Sequence, residues 1–240
     1  MSHKRLGWTL SLALAASALA IASINAFTDL DLILARAMFD PASATFPWRH
    51  AWLAETFSHA WARIALTTLA CAVVLTALFD LLRPRLAWSD PFRLRLRVVA
   101  LAAALVPAWI STLKYLSASH CPWDLDLFGG DETYVRLFQA VSPYASMGHC
   151  MPAGHASSAL WLVSMAVFWL PRQPRTALRV GAAMLGLGFA LGWMQQLRGA
   201  HFLTHTLWSM WWACLIVSIL YVWLIERRRA VAGSVNIQLS

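Results

Sequence analysis

The 240-residue chain is 60% hydrophobic and charged at only 12% of its positions, about half the charged fraction of an ordinary soluble domain. Its apolar residues arrive in long blocks with little alternation, which excludes a soluble domain and points to an all-α polytopic membrane protein, with residues 1–240 as one integral membrane domain. A net charge of +8 would suggest nucleic acid as the partner of a soluble protein, but these cations flank the apolar blocks as topology signals do, and no nucleic-acid partner is expected.

A hydrocarbon core of about 30 Å takes roughly 20 helical residues, and six transmembrane helices are predicted. The first, 8–27, follows Lys4 and Arg5. Its apolar length exceeds the ~7–15-residue core of a cleaved signal peptide, so it is expected to remain as a span. The segment after it carries Asp29, Asp31, His50 and His59, which read as solvated loop residues or, alternatively, as a lid. The second span, 64–82, runs into Arg83 and Arg85, and Arg93, Arg95 and Arg97 precede the third, 98–117. A long polar loop follows. The fourth block, 156–170, is short, so its first turn is expected near His155. Arg172, Arg175 and Arg179 separate it from the fifth, 180–197. The stretch 180–225 is too long for one span, and Gly199 is the expected break before the sixth, 202–225.

With the N-terminus inside, 13 of the 19 Lys and Arg residues fall on the inner side, Arg227, Arg228 and Arg229 among them. Arg36, Arg49, Arg63, Lys114, Arg136 and Arg198 stay outside. Both termini are therefore expected in the cytoplasm. Three polar clusters then reach the outer face: Lys114 at the end of the third span, His155 at the start of the fourth, and Arg198, His201 and His205 between the fifth and sixth. Ionisable residues at membrane depth are functional candidates by default.

The stretch Pro152-Ala153-Gly154-His155 has a physical reading. Pro152 stops any preceding helix, Gly154 permits close backbone approach, and the helix that follows opens with unpaired N–H groups suited to phosphate. His155 can exchange a proton near neutral pH, Lys114 and Arg198 supply positive charge, and His201 offers a nitrogen nucleophile. The site reads as a phosphate-ester pocket at the outer boundary.

The order Lys114, then Pro152-x-Gly154-His155, then Arg198 and His201 resembles the type 2 phosphatidic acid phosphatase family, which shares its phosphate site with the vanadium haloperoxidases. The resemblance spans about residues 100–215. The family pattern is Lys-x6-Arg-Pro, Pro-Ser-Gly-His, and Ser-Arg-x5-His-x3-Asp. Here Cys121 replaces the Arg before Pro122, Ala153 the Ser, Gln195 the Arg six residues before His201, and His205 the Asp. A bacterial variant with Cys-Pro-Trp-Asp-Leu and Arg-Gly-Ala-His-Phe is similar to 121–125 and 198–202. The resemblance implies that His201 forms a phosphohistidine and that His155 protonates the leaving oxygen. It implies that Lys114, Arg198 and the N–H groups around Gly154 hold the phosphate, with no metal or cofactor. The partner that orients His201 stays open between His205, Asp124 and Asp126. The implied substrate is a lipid phosphate or lipid pyrophosphate drawn from the membrane lipids at the periplasmic face of a bacterial inner membrane. Phosphoryl transfer to a second lipid, or a non-catalytic transporter or scaffold, are the alternatives. Intact Lys114, His155, Arg198 and His201 favour the enzyme.

Simpler readings stand beside these. His201 and His205, at i,i+4, also suit a metal, with His120 and His149 as further ligands. His155 has a plain helix-cap reading, and Lys114 taken alone reads as a snorkelling lysine. Cys121 and Cys150 share the outer loop, and on the oxidising side of the membrane they are expected to pair, the alternative being two free thiols. Cys71 and Cys214 fall inside spans, and the 14 Trp residues read as interfacial anchors and packing.

Overall fold

A computed structural model describes residues 3–140 and 146–226; Arg227, Arg228 and Arg229 lie outside them. The described chain is helical, with α1 (His3–Phe27), a short α2 (Leu30–Met38), α3 (Leu53–Leu82), α4 (Asp90–Tyr115), α5 (Gly154–Phe168), α6 (Pro174–Leu197) and α7 (Leu203–Tyr221). Among the described residues there are two isolated β-bridges and no strand.

Five of these helices are long and apolar enough to cross a membrane, and α5 is the shorter sixth apolar block. Its first 7 residues are α-helical and its next 8 are wound as a 3-10 helix. A 3-10 helix rises about 2.0 Å per residue against 1.5 Å, so the segment reaches roughly 26 Å and nearly matches the hydrocarbon core. The tighter winding makes up for missing residues. α3 begins eleven residues before the expected 64, because Leu53–Trp61 forms a π-wound turn that leads into Ala62–Leu82 without a break. Ser89 precedes α4, with Asp90 and a proline in its first turn, a start that suits the orphan N–H groups there.

α4 and α5 form the middle of the bundle. Val98, Val99, Ala102, Val106 and Ile110 of α4 are buried against Ala156, Leu160, Trp161 and Val163 of α5. Around them α1 and α3 expose Trp8, Leu19, Leu75 and Leu82, which lipid tails cover as well as protein would. α6 closes in through glycines. A Cβ at Gly188 would meet Leu160 Cγ at 2.7 Å, and one at Gly192 would meet Thr206 Oγ1 at 2.6 Å. Small residues let the backbones approach where apolar burial offers no net drive.

The bundle has two polar ends. At one, Arg93 meets the buried Asp80 at 3.4 Å and Arg95 donates to Leu170 O at 3.1 Å, beside the turns that carry Arg83, Arg85, Arg172 and Arg175. At the other, α2 and the 117–137 loop form a cap with its own small core of Leu32, Ala35, Phe46, Leu125, Phe128 and Phe202. Asp31, expected in a solvated loop, is instead 1% exposed. It accepts hydrogen bonds from Thr204 N at 3.1 Å, Thr204 Oγ1 and Asn25 Nδ2, and so ties α1 and α2 to the start of α7. Burial holds its carboxyl above the usual carboxylate range despite these donors. Asp29 stays on the surface, paired with Arg136.

Candidate active site

Three chain reversals meet beneath the cap. α4 ends one residue after Lys114, α5 begins at Gly154 and His155, and α6 gives way to α7 through Arg198, Gly199 and His201. Gly199 makes the last reversal possible, with φ of +74° and no room for a side chain, since a Cβ would lie 2.7 Å from Phe46 Cγ. Its carbonyl accepts the Trp123 N–H at 3.0 Å, which locks the cap to the turn.

The Pro152–His155 stretch is clipped to α7. Ala153 N donates to His205 O at 3.0 Å, and Ser209 Oγ donates to Ala153 O at 2.9 Å. Ala153 is fully buried, so the position where the family pattern has Ser carries only backbone bonds here. Lys114 lies over Gly154: a Cβ on that glycine would sit 3.9 Å from the lysine Nζ.

The histidines form a chain of rings. His155 and His201 have centroids 6.2 Å apart, and His201 and His205 are 5.8 Å apart. His201 is 2% exposed, and its Nδ1 lies 3.4 Å from the Cys150 sulfur. Burial, then the charges of His205, Lys114 and His155, hold its imidazole well below the ordinary histidine value. The ring is therefore neutral and nucleophilic near pH 7. His205 Nε2 bonds Ser119 Oγ at 3.2 Å, while both ring nitrogens of His155 are buried without a partner among the described residues.

Asp124 and Asp126 do not reach His201 among the described hydrogen bonds. Asp126 is exposed, and Asp124 serves the cap through its carbonyl, which accepts the Glu132 N–H at 2.9 Å. What bounds His201 is the disulfide between Cys121 and Cys150, whose Cα atoms are 5.3 Å apart. Cys121, Cys150 and His201 form a three-ligand cluster by distance, but the bonded sulfurs have no thiolate to offer a metal.

Arg198 is nearly buried and heavily held. It donates from Nε to Arg49 O at 2.9 Å, from NH1 to Gln195 Oε1 at 3.0 Å and from NH2 to Glu55 Oε1 at 3.2 Å. Gln195, which departs from the family pattern, bridges Arg198 to α3 through Ser58 Oγ at 2.9 Å and Ala54 O at 3.3 Å. The outer turn of α3 is the part of the site that sequence reasoning missed. Besides Glu55 it brings His59, expected to be a solvated loop residue, onto His155 at a ring separation of 3.9 Å. Arg63 follows one turn later, within electrostatic reach of His155 together with Lys114 and Arg198. The spacing Glu55, His59, Arg63 (i, i+4, i+8) was the available signal, since such residues share a helix face.

The positive charges face the neutral ring of His201, and the nearby carboxylate of Glu55 is engaged with Arg198 and His50. That arrangement suits an anion. Beside it a cavity of about 580 Å³ opens between α3, α4 and α5. Arg63, Gly154, Ser157 and Ser158 line it with the apolar Val74 and Ala103 of the spans. Pro107 interrupts the backbone ladder of α4 at this wall.

Comparison with known families matches residues 95–229 to the family described as the PAP2 superfamily. The match runs from the first turns of α4 past the end of α7 and so contains Lys114, Gly154, His155, Arg198, His201 and His205. No curated protein and no solved structure matches the chain.

Proposed function

The chain belongs to the PAP2 superfamily, and on that premise we propose that it removes phosphate from a lipid phosphate or lipid pyrophosphate at the periplasmic face of a bacterial inner membrane. A phosphatase-type activity on a helical membrane fold follows from the family. The lipid, the sidedness and the residue roles are this reading's own. The observation that carries it is the opposition of His201 and His155 at 6.2 Å, with Lys114 over the Gly154 backbone beside them.

The chemistry follows from that placement. The neutral His201 imidazole attacks phosphorus, and a nitrogen–phosphorus bond forms as the ester oxygen departs with its electron pair. His155, as the imidazolium in the phosphate complex, gives that oxygen a proton and becomes neutral, then takes one from the water that cleaves the phosphohistidine. Lys114, the backbone N–H groups that open α5, and Arg198 balance charge on the phosphoryl oxygens. Arg198 needs no reorganisation to do so, because Glu55, Gln195 and Arg49 O already hold it. The cavity beside Gly154 leads from the charged end toward apolar span residues, as a substrate with an acyl or isoprenyl tail requires. The basic turns at the opposite end of the bundle support a cytoplasmic placement for that end and a periplasmic one for the site.

The test is phosphate release by purified protein from a panel of phosphatidate, isoprenyl pyrophosphate and phosphorylated lipid A, with a strong chelator present. Release by the wild type, with loss of both release and an acid-labile phosphoenzyme in His201→Ala, is the expected result. A His201→Ala variant that still releases phosphate refutes the assignment. Phosphate that appears on a second lipid instead of in solution identifies a phosphotransferase.

A further inference from the structure

General-acid catalysis needs the acid's ring held at a fixed angle to the leaving oxygen. A histidine is usually aimed by a hydrogen bond to its second nitrogen. Among the described residues His155 has no such bond: both of its nitrogens are buried and unpartnered. Nothing polar therefore sets the rotation of the imidazole about its Cβ–Cγ bond. What touches the ring is His59, at a centroid separation of 3.9 Å and an interplanar tilt of 38°, the closest of the ring pairs described.

His59 is itself fixed. It sits on the π-wound turn Leu53–Trp61, and π winding is frequent at functional sites. The turn is bound to α6 through the residues just before His59: Gln195 Nε2 donates to Ala54 O and Ser58 Oγ, and Glu55 pairs with Arg198. The wide winding lets Ala54 and Ser58 bury against α6 while Glu55 and His59 face the site. His59 is half-buried and lines a surface opening with Arg63 and Thr67.

We propose that the outer turn of α3 is a third wall of the active site and that His59 is the positioning residue which holds the His155 ring on line with the leaving oxygen. This rests on the phosphatase reading above. The tilted ring contact replaces the missing hydrogen bond: a flat ring packed against the imidazole blocks rotation about Cβ–Cγ and leaves the nitrogens free for the proton transfer. In that transfer His155, protonated to the imidazolium once the phosphate anion binds beside it, gives its proton to the ester oxygen as the phosphorus–oxygen bond breaks; the alcohol leaves neutral and the ring is left neutral.

Stacking makes a demand that a general structural role does not. It needs a flat ring at position 59, whatever its basicity, and it matters in proportion to the help the leaving group requires. The experiment compares wild type, His59→Ala and His59→Phe on a short-chain phosphatidate and on an activated aryl phosphate. In His59→Ala, turnover of the phosphatidate should fall roughly 10- to 100-fold with little change in KM, since a misaligned acid loses most of its contribution. Turnover of the aryl phosphate, whose leaving group needs little protonation, should fall less than about 3-fold. His59→Phe should restore most of the phosphatidate rate.

A second readout needs no turnover. In protein labelled on histidine, the His155 ring signals should carry a ring-current shift that disappears in His59→Ala and persists in His59→Phe. Equal loss on both substrates, a Phe variant no better than Ala, or His155 signals unmoved by His59→Ala would each overturn the positioning role. A wild type inactive on every substrate would instead refute the phosphatase reading, and the catalytic meaning of the stack with it.

Discussion

Removal of the Cys121–Cys150 disulfide, as the double Cys→Ala variant, tests how the cap and the site depend on each other. The bond closes a loop with a sequence separation of 29. Loop-closure entropy for that length gives about 3.6 kcal/mol at 25 °C. That figure is a ceiling, because α4 ends at Tyr115 and α5 begins at Gly154, and a bilayer or micelle keeps those ends near each other in the unfolded chain. A stabilisation of roughly 2–3 kcal/mol remains, equivalent to a fall of about 5–10 °C in thermal midpoint for a chain of this size. The effect on catalysis is separate. Cys150 Sγ lies 3.4 Å from His201 Nδ1, and Cys150 N donates to Ser119 O at 3.0 Å, next to the Ser119 hydroxyl that holds His205. Loss of the bond should therefore lower kcat at temperatures where the variant is still folded, with KM less affected. The assay is tryptophan-monitored melting in detergent alongside phosphate release, for variant and for wild type with and without reductant. A variant with the wild-type midpoint, or native cysteines alkylated at 121 and 150 without reductant, would refute the reasoning.

Burial lowers the His201 pKa, so the phosphoenzyme should form nearly as fast at pH 5.5 as at pH 7, where an ordinary histidine would be about nine-tenths protonated at the lower value; a tenfold fall in rapid-quench experiments would contradict this. The sign for stability is opposite. The unfolded state takes up the proton near pH 6.5 and the folded state does not, so the thermal midpoint should decline as pH falls below that value. Asp31→Ala leaves the buried Thr204 N–H and Asn25 amide short of an acceptor, and should cost roughly 2–4 kcal/mol, with Asp31→Asn milder in the same melting assay. Gly192→Ala should destabilise by about 1–3 kcal/mol through overpacking against Thr206, while Gly186→Ala, with nothing within 4 Å, should be neutral or slightly stabilising; equal midpoints for the two would show that α6 and α7 are not in close contact.

Hydropathy is a property of local chain, and it was enough to place the apolar blocks in order, though not the early start of α3 at Leu53. Charge at the ends of those spans, together with Pro152, Gly154 and Gly199, was enough to bring Lys114, His155, Arg198 and His201 to one end of the bundle. The length of the fourth block alone left its winding open, since 3-10 and α turns share one apolar composition. Partnerships across helices were beyond reach for a different reason: they depend on how each helix is rotated about its axis and how closely its neighbours approach. Nothing in Gln195 as a residue shows that it joins Arg198 to Ser58, and nothing in Asp31 shows that it is buried under Thr204. His59 reads as a loop histidine until the π-wound turn carries the helix eleven residues further out and sets its ring on His155. Local sequence was enough to bring Lys114, His155, Arg198 and His201 to the same end of the bundle, because span length and charge fix depth. Tertiary packing decided which of them touch, because contact is set by helix rotation and a few ångströms of approach that no local pattern records.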